Sequence, residues 1–208
     1  MRNVTDRTRN PFGMQPPCER FVPGYGDANA HFHVVGDHPG VHGGAETGVP
    51  FTDCVVGRRL QRALDGAGLL ETTGDAPAVD LTYLSYLHTC VPNCDPTKDD
   101  YGAMEPFFDA ELRAIAAHVL LPVGERATRH VLETYTAHDP AGLDFEKLHA
   151  TELHGSGWLV VPIRDPVDWT GADMDRLVDA LDTLRDTDYR RESDLGRFVA
   201  GNEPYFVR

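Results

Sequence analysis

Four short apolar runs punctuate the chain, and stretches with apolar residues at helical spacing separate them. His31-Phe32-His33-Val34-Val35 reads as a strand ended by Gly36. Gly57 to Leu70 carries Leu60, Leu64 and Leu69 at near-helical spacing, with Gly68 as a C-cap. Leu81 to Leu87 is a second strand, rich in β-formers. Tyr101 to His118 predicts a helix with Phe107, Phe108, Leu112 and Ile115 on one stripe and Asp99 or Asp100 as its cap. Val119 to Val123 is a third strand, and Glu125 to Thr136 returns as a helix. His138 to His154 reads as loop-like or weakly helical. Gly157 to Ile163 is a fourth strand, and Met174, Leu177, Val178, Leu181 and Leu184 mark the last helix. This alternation predicts an α/β fold: three-layer α/β/α with a central four-stranded parallel sheet, in a single domain. Right-handed crossovers then bring the loops at Gly36, His88, Gly124 and Arg164 to one edge of the sheet.

The Pro- and Gly-rich residues 1–23 read as an N-terminal arm packed on the domain, anchored by Phe12, Met14 and Phe21. Residues 24–190 form the α/β domain, and residues 191–208 read as a tail that packs back on it. The 208 residues carry a formal charge of −14. Of the 19 basic residues only Lys98 and Lys147 are lysine. That bias favours a salt-adapted proteome, such as a halophilic archaeon's, over an ordinary acidic cytosolic protein. It disfavours non-specific nucleic-acid binding unless arginines line a local groove. No apolar run reaches the ~20 residues of a membrane span, and Met1 to Arg7 lacks the apolar stretch of a signal peptide. The expectation is a cytoplasmic monomer with no membrane partner. In that compartment Cys18, Cys54, Cys90 and Cys94 are expected as free thiols, in preference to a disulfide framework or a metal site using all four.

The candidate chemistry concentrates in Val34 to Thr52, where a strand enters a loop with His38, His42, Asp37 and Glu46 and five glycines. Asp37, just past the strand end, can orient a water; His42 can exchange a proton near neutral pH; Phe51 can stack on a flat ring. The plainer alternatives are a turn cap, a solvated histidine and a core aromatic. A P-loop and the G-x-G-x-x-G fingerprint are both absent, which weakens nucleotide hydrolysis and hydride transfer. The last loop offers Arg164, Asp165 and Asp168. Asp165 can face Asp37 as a carboxylate pair suited to glycosidic cleavage through a cationic sugar, or form an Arg–Asp surface pair capping the final helix. The second loop adds Tyr86 and His88.

The order of these motifs resembles the uracil-DNA glycosylase superfamily, nearest its family 4 and family 5 branches, over roughly residues 24–186. Gly24-Tyr25-Gly26-Asp27-Ala28-Asn29-Ala30, then Gly36-Asp37-His38-Pro39-Gly40, is similar to the family 4 lead-in and G-E-x-P-G motif. His42 to Thr52 is similar to the family 5 run H-G-x-N-R-T-G-x-x-F-T-G. The resemblance implies an enzyme that extrudes uracil from DNA and hydrolyses its N-glycosidic bond in base excision repair. It implies DNA with a damaged base as partner. It aligns Asp37 with the acid of the first motif, Phe51 with the aromatic that stacks on uracil, and Gly36, His38, Pro39 and Gly40 with the base pocket. Tyr86 falls where an asparagine reads the uracil edge, and Arg164 is the expected DNA contact. The third motif, His-Pro-Ser or His-Pro-Ala, becomes Arg164-Asp165-Pro166, so Asp165 replaces the histidine. Three outcomes stay open: His42 and His88 take over, the substrate is another N-glycoside, or the chain is an inactive member that binds DNA or a protein through the same cleft. The 4Fe–4S cluster of both branches is disfavoured and no cofactor is expected. Cys90 matches one ligand, the next position holds Met104, and Cys18 lies too near Gly24 for the early pair.

Overall fold

Strand residues alternate between two faces, and on the inner strands both faces are apolar, so the sheet must be covered on both sides. The structure, a computed structural model, describes residues 4–136 and 138–190. The strands are β1 (Tyr25–Gly26), β2 (Phe32–Gly36), β3 (Thr82–Tyr86), β4 (Val119–Pro122), β5 (Leu153–Gly155) and β6 (Trp158–Val160), in the order β1-β3-β2-β4-β6-β5. The helices are α1 (Pro39–His42), α2 (Val55–Gly66), α3 (Lys98–Ile115), α4 (Gly124–Tyr135) and α5 (Gly171–Arg185). Val34, Leu84, Leu121 and Leu159 pack with α2 and α5; Val35, Leu120 and Val160 pack with α3 and α4. The three layers follow from that alternation.

The inner strands β3, β2, β4 and β6 are parallel, as the pattern predicts. The sheet as a whole is mixed, because β1 pairs antiparallel with β3 and β5 with β6. These edge strands have only two and three residues, too few for a hydrophobic period to register. Strand β5 begins at the end of the segment read as loop-like and forms a hairpin with β6, which falls within the predicted fourth strand. The turn of the hairpin is Ser156-Gly157, both at positive φ (48° and 91°), the geometry that tight hairpins favour. Helix α3 starts at Lys98, earlier than expected, because Thr97 and Asp100 form a reciprocal capping box.

The arm lies on the body. The Val22 amide donates to Thr89 O (2.8 Å) and the Val91 amide to Arg20 O (2.9 Å). Phe12 packs near Tyr83, with ring centroids 6.4 Å apart. This pairing corrects one expectation: Cys18 and Cys90 form a disulfide across 72 residues, while Cys54 and Cys94 are free. The compartment argument concerns thiols in general; the antiparallel pairing of the arm with the chain after β3 is what brings these two together. The tail from residue 191 lies outside the described residues.

A polar group sits inside the sheet. His33 Nε2 and Ser85 Oγ are 2.7 Å apart, and Glu111 is buried beside Tyr83 and Ser85. Burial raises the Glu111 carboxyl from 4.5 to about 7, against the pull of hydrogen bonds from Tyr83 and Ser85. Burial also lowers His33 from 6.5 to about 3.

Two predictions follow from this packing. Cys18→Ser should destabilise the fold by about 2–4 kcal/mol, the usual effect of opening a long loop, and urea denaturation of wild type with and without reductant should match it. Glu111, raised in the folded state, stabilises fully below pH 4.5, and that contribution is lost as pH rises through about 7. Glu111→Gln should therefore flatten the decline in unfolding free energy between pH 5 and 7. An unchanged slope in denaturant titrations would refute the assignment. His33 acts oppositely, its contribution being lost as pH falls from 6.5 through about 3.

Candidate active site

The carboxyl ends of the parallel strands meet as the topology requires. The His88 amide donates to Asp37 O (3.0 Å), the Val123 amide to Val35 O (2.8 Å) and the Gly124 amide to Ile163 O (2.7 Å). Asp37, His88, Gly124 and Asp165 therefore share one edge.

Past Asp37 the chain makes the single turn α1. His38 caps it, its Nδ1 accepting from the Gly40 amide (3.1 Å), and Pro39 occupies the first helical position. One turn returns the chain over its start, so the Asp37 amide donates to His42 Nδ1 (3.0 Å). In the neutral imidazole that bond leaves the proton on Nε2. Nε2 is buried, has no hydrogen-bond partner among the described protein groups, and lies 3.8 Å from Asp165 Oδ2. Asp165 caps the short 3₁₀ turn Pro166–Asp168 by accepting from the Val167 amide (2.9 Å). Burial pushes its carboxyl up, but His42 and that amide outweigh burial and hold it below the usual carboxylate range. Gly124, at φ +83°, flanks the pair: a Cβ there would stand 3.8 Å from Asp165 Oδ2 and 4.0 Å from His42 Cε1.

The Asp37 carboxylate is 17% exposed. Tyr101 donates to its Oδ1, and Arg126 Nε lies 3.3 Å from its Oδ2. The Arg126 guanidinium also covers the Tyr101 ring at 4.6 Å. Burial, with the Asp37 carboxylate, raises the Tyr101 phenol, which keeps it protonated as a donor. His88 donates from Nδ1 to Cys90 O (3.1 Å), with its ring 5.6 Å from Tyr101 and 6.4 Å from His38. Burial lowers the His38 imidazole, with Asp37 opposing.

The structure thus brings Asp37, His42 and Asp165 together, with His38, Pro39, Gly40 and His88 beside them. His42 is bonded to the Asp37 backbone amide through Nδ1 and faces Asp165 with Nε2, so Asp165 faces an imidazole and not the Asp37 carboxylate. Phe51 is fully buried, its ring against Tyr86 (5.1 Å) and His42 (5.6 Å). Arg164 is committed elsewhere, to Glu146 (2.7 Å) and to Asp173 (3.3 Å) in the first turn of α5. The Arg–Asp pair of the alternative reading therefore exists, but Asp165 is not its acid. Tyr101 and Arg126 escaped the sequence reading because helix periodicity carries no sign of a long-range partner. Arg59 escaped it too: it donates to Pro166 O (2.9 Å) and Val167 O (2.8 Å) beside Asp165. Its neighbours Arg58 and Arg62 at one-turn spacing were the readable signal.

The residues present do not fit an iron–sulfur cluster. Cys90 is bonded to Cys18, and the Met104 thioether lies 3.6 Å from the Cys90 sulfur. Cys54 caps α2 and Cys94 is exposed. Among the described residues no three His, Cys, Asp or Glu converge on a metal position.

The fold is α/β, with an acid after the first long strand and a histidine–acid pair beside it at one sheet edge. Residues 23–171 match the family model of the Uracil DNA glycosylase superfamily, and the chain belongs to that superfamily. It is similar to the Type-5 uracil-DNA glycosylase of Thermus thermophilus, 36% identical over 88 residues, 42% of this chain and 40% of that protein. It is also similar to that of Pyrobaculum aerophilum, 32% identical over 120 residues, 55% and 53% of the two chains. A third relative, from Mycobacterium leprae, is 30% identical over 117 residues, 53% and 51%. The matched stretches span about half the length of these relatives or less.

The His42–Asp165 geometry makes a prediction independent of activity. His42→Gln should raise the Asp165 carboxyl toward its ordinary range, read by carbon-detected NMR titration. An unshifted Asp165 would mean that the pair does not interact.

Proposed function

We propose that this chain is a DNA N-glycosylase that hydrolyses the bond between deoxyribose and uracil, or a related damaged base, in base excision repair. Superfamily membership and the names of its relatives support the general chemistry. The observation that carries the reading is the His42–Asp165 pair at the same edge as Asp37. It offers a replacement for the third-motif histidine that the chain lacks.

In this reading the carbon–nitrogen bond breaks with its electron pair leaving on the base. The two carboxylates favour the positive charge that develops on the sugar. Asp37, held by Tyr101 and Arg126, orients a water whose oxygen bonds to the anomeric carbon and whose proton leaves through the carboxylate. His42 donates a hydrogen bond from Nε2 to the departing base anion, which takes its proton from solvent. Arg59 on α2, with Arg62 near Trp169, puts local positive charge beside the Asp165 loop, where a DNA backbone can lie despite the acidic surface. The second reading, a superfamily member that binds without cleaving, draws on the burial of Phe51.

The test is pure protein, in excess over a single-stranded uracil-containing oligonucleotide in high salt, followed by alkali. Strand scission is expected, and Asp37→Asn and His42→Gln should each slow it about 10²- to 10⁴-fold. No scission by wild type at enzyme excess would end the uracil reading. Full activity in both variants would move the site elsewhere.

A further inference from the structure

The place where a flat base would stack is already filled. Gly36 forms its floor: a Cβ there would lie 2.7 Å from Phe51 Cζ and 2.7 Å from Tyr86 Cδ1 and Cε1. Both rings are packed onto bare backbone, and Phe51 and Tyr86 are 0% and 1% exposed. His42 closes the assembly, nearly parallel to Tyr86 at 27° and 6.3 Å. The Tyr86 hydroxyl accepts from the Phe51 amide (2.7 Å) and donates to Gly43 O (2.9 Å).

Those two backbone groups form a pattern of their own. An N–H and a C=O converging on one point complement a lactam edge, in which a ring carbonyl stands next to a ring N–H. Phe51 holds φ +60°, a region that a bulky residue rarely occupies. Such a conformation persists where surrounding contacts impose it and often marks a ligand site. Here it accompanies a Phe51 amide that points inward at the Tyr86 oxygen. One neutral phenol satisfies a donor and an acceptor that a base would need two atoms to satisfy.

We propose that Tyr86 is a built-in occupant of the base pocket, and that a 2,4-dioxopyrimidine enters only when Tyr86 leaves. The inference rests on the glycosylase reading for the pocket's role in catalysis, but the pocket's occupancy stands on its own geometry. The Phe51 amide and the Gly43 carbonyl then set the specificity, and Tyr86 sets the access. A base with a lactam edge can take over both backbone bonds. A base with the reversed edge and N1 blocked, as cytosine has in a nucleoside, leaves both unpaired and should bind about tenfold to a hundredfold more weakly.

The uracil probe is 1-methyluracil and the cytosine probe 1-methylcytosine, N1 being blocked as it is in the nucleoside; each is titrated calorimetrically into wild type and Tyr86→Ala, with the Phe51 amide followed by NMR. Tyr86→Ala should bind uracil at least about tenfold more tightly than wild type does and prefer it to cytosine, and uracil should shift the Phe51 amide. Tyr86→Phe keeps the ring in the pocket and loses the hydroxyl, so it should bind uracil more weakly than Tyr86→Ala does. If Tyr86→Ala fails to give a cooperative melt, Tyr86→Asn, smaller and still polar, is put through the same titration. Wild type binding uracil as tightly as the small variant, or a small variant indifferent between the two bases, overturns the proposal. Strand scission separates this failure from that of the enzyme reading. Uracil binding by Tyr86→Ala with no scission by any form ends the glycosylase reading and leaves the occupied pocket. Scission by wild type that falls when Tyr86 is made small overturns the occupancy and keeps the glycosylase.

Discussion

The hydrogen bond from the Asp37 amide to His42 Nδ1 is the contact on which the site depends. It closes the turn of α1, and it ties the end of β2 to the histidine five residues later. It also selects the tautomer, leaving a proton on the one buried nitrogen that faces Asp165. A histidine free to rotate in a loop offers neither nitrogen reliably. Here a backbone group, which cannot be mutated away, makes the choice. The position of Asp37 is set in turn by the parallel register of β2 with β3 and β4, so the orientation of His42 follows from the sheet.

Around that contact the cleft is tightly committed. Asp37 is held from the helical layer by Tyr101 and Arg126, His88 is held by the Cys90 carbonyl, and Cys90 is bonded to the arm. A continuous series of contacts therefore runs from the N-terminal arm to the acid at the sheet edge. Sulfur chemistry in this chain serves attachment: a disulfide and a thioether stand together where a cluster would demand more thiolates. The three rings of His42, Phe51 and Tyr86 seal the interior side of the same edge. The cleft is pre-built on its polar side and filled on its aromatic side.

Much of this was legible in the residues. Four apolar runs with β-forming residues could only be buried strands, and alternating helices forced them parallel. The parallel arrangement then carried the loops at Gly36, His88, Gly124 and Arg164 to one edge. Asp37 and the Gly-rich loop declared themselves by their place after β2. Short-range rules missed what pairs over long range. Thr97-x-x-Asp100 and Ser156-Gly157 were readable local signals of a cap and a hairpin, and both follow from local backbone chemistry.

The sequence by itself determined the layers, the direction of the inner strands and the edge where the candidate loops meet, because periodicity and burial are local properties of the chain. Only the tertiary structure decided which side chains are partners across that edge. It joined Cys18 to Cys90, turned Asp165 to His42 while Arg164 turned away to Asp173, and laid Tyr86 on Phe51. Such pairings depend on register, on side-chain direction and on what else fills the space, and one chain read in order contains none of the three.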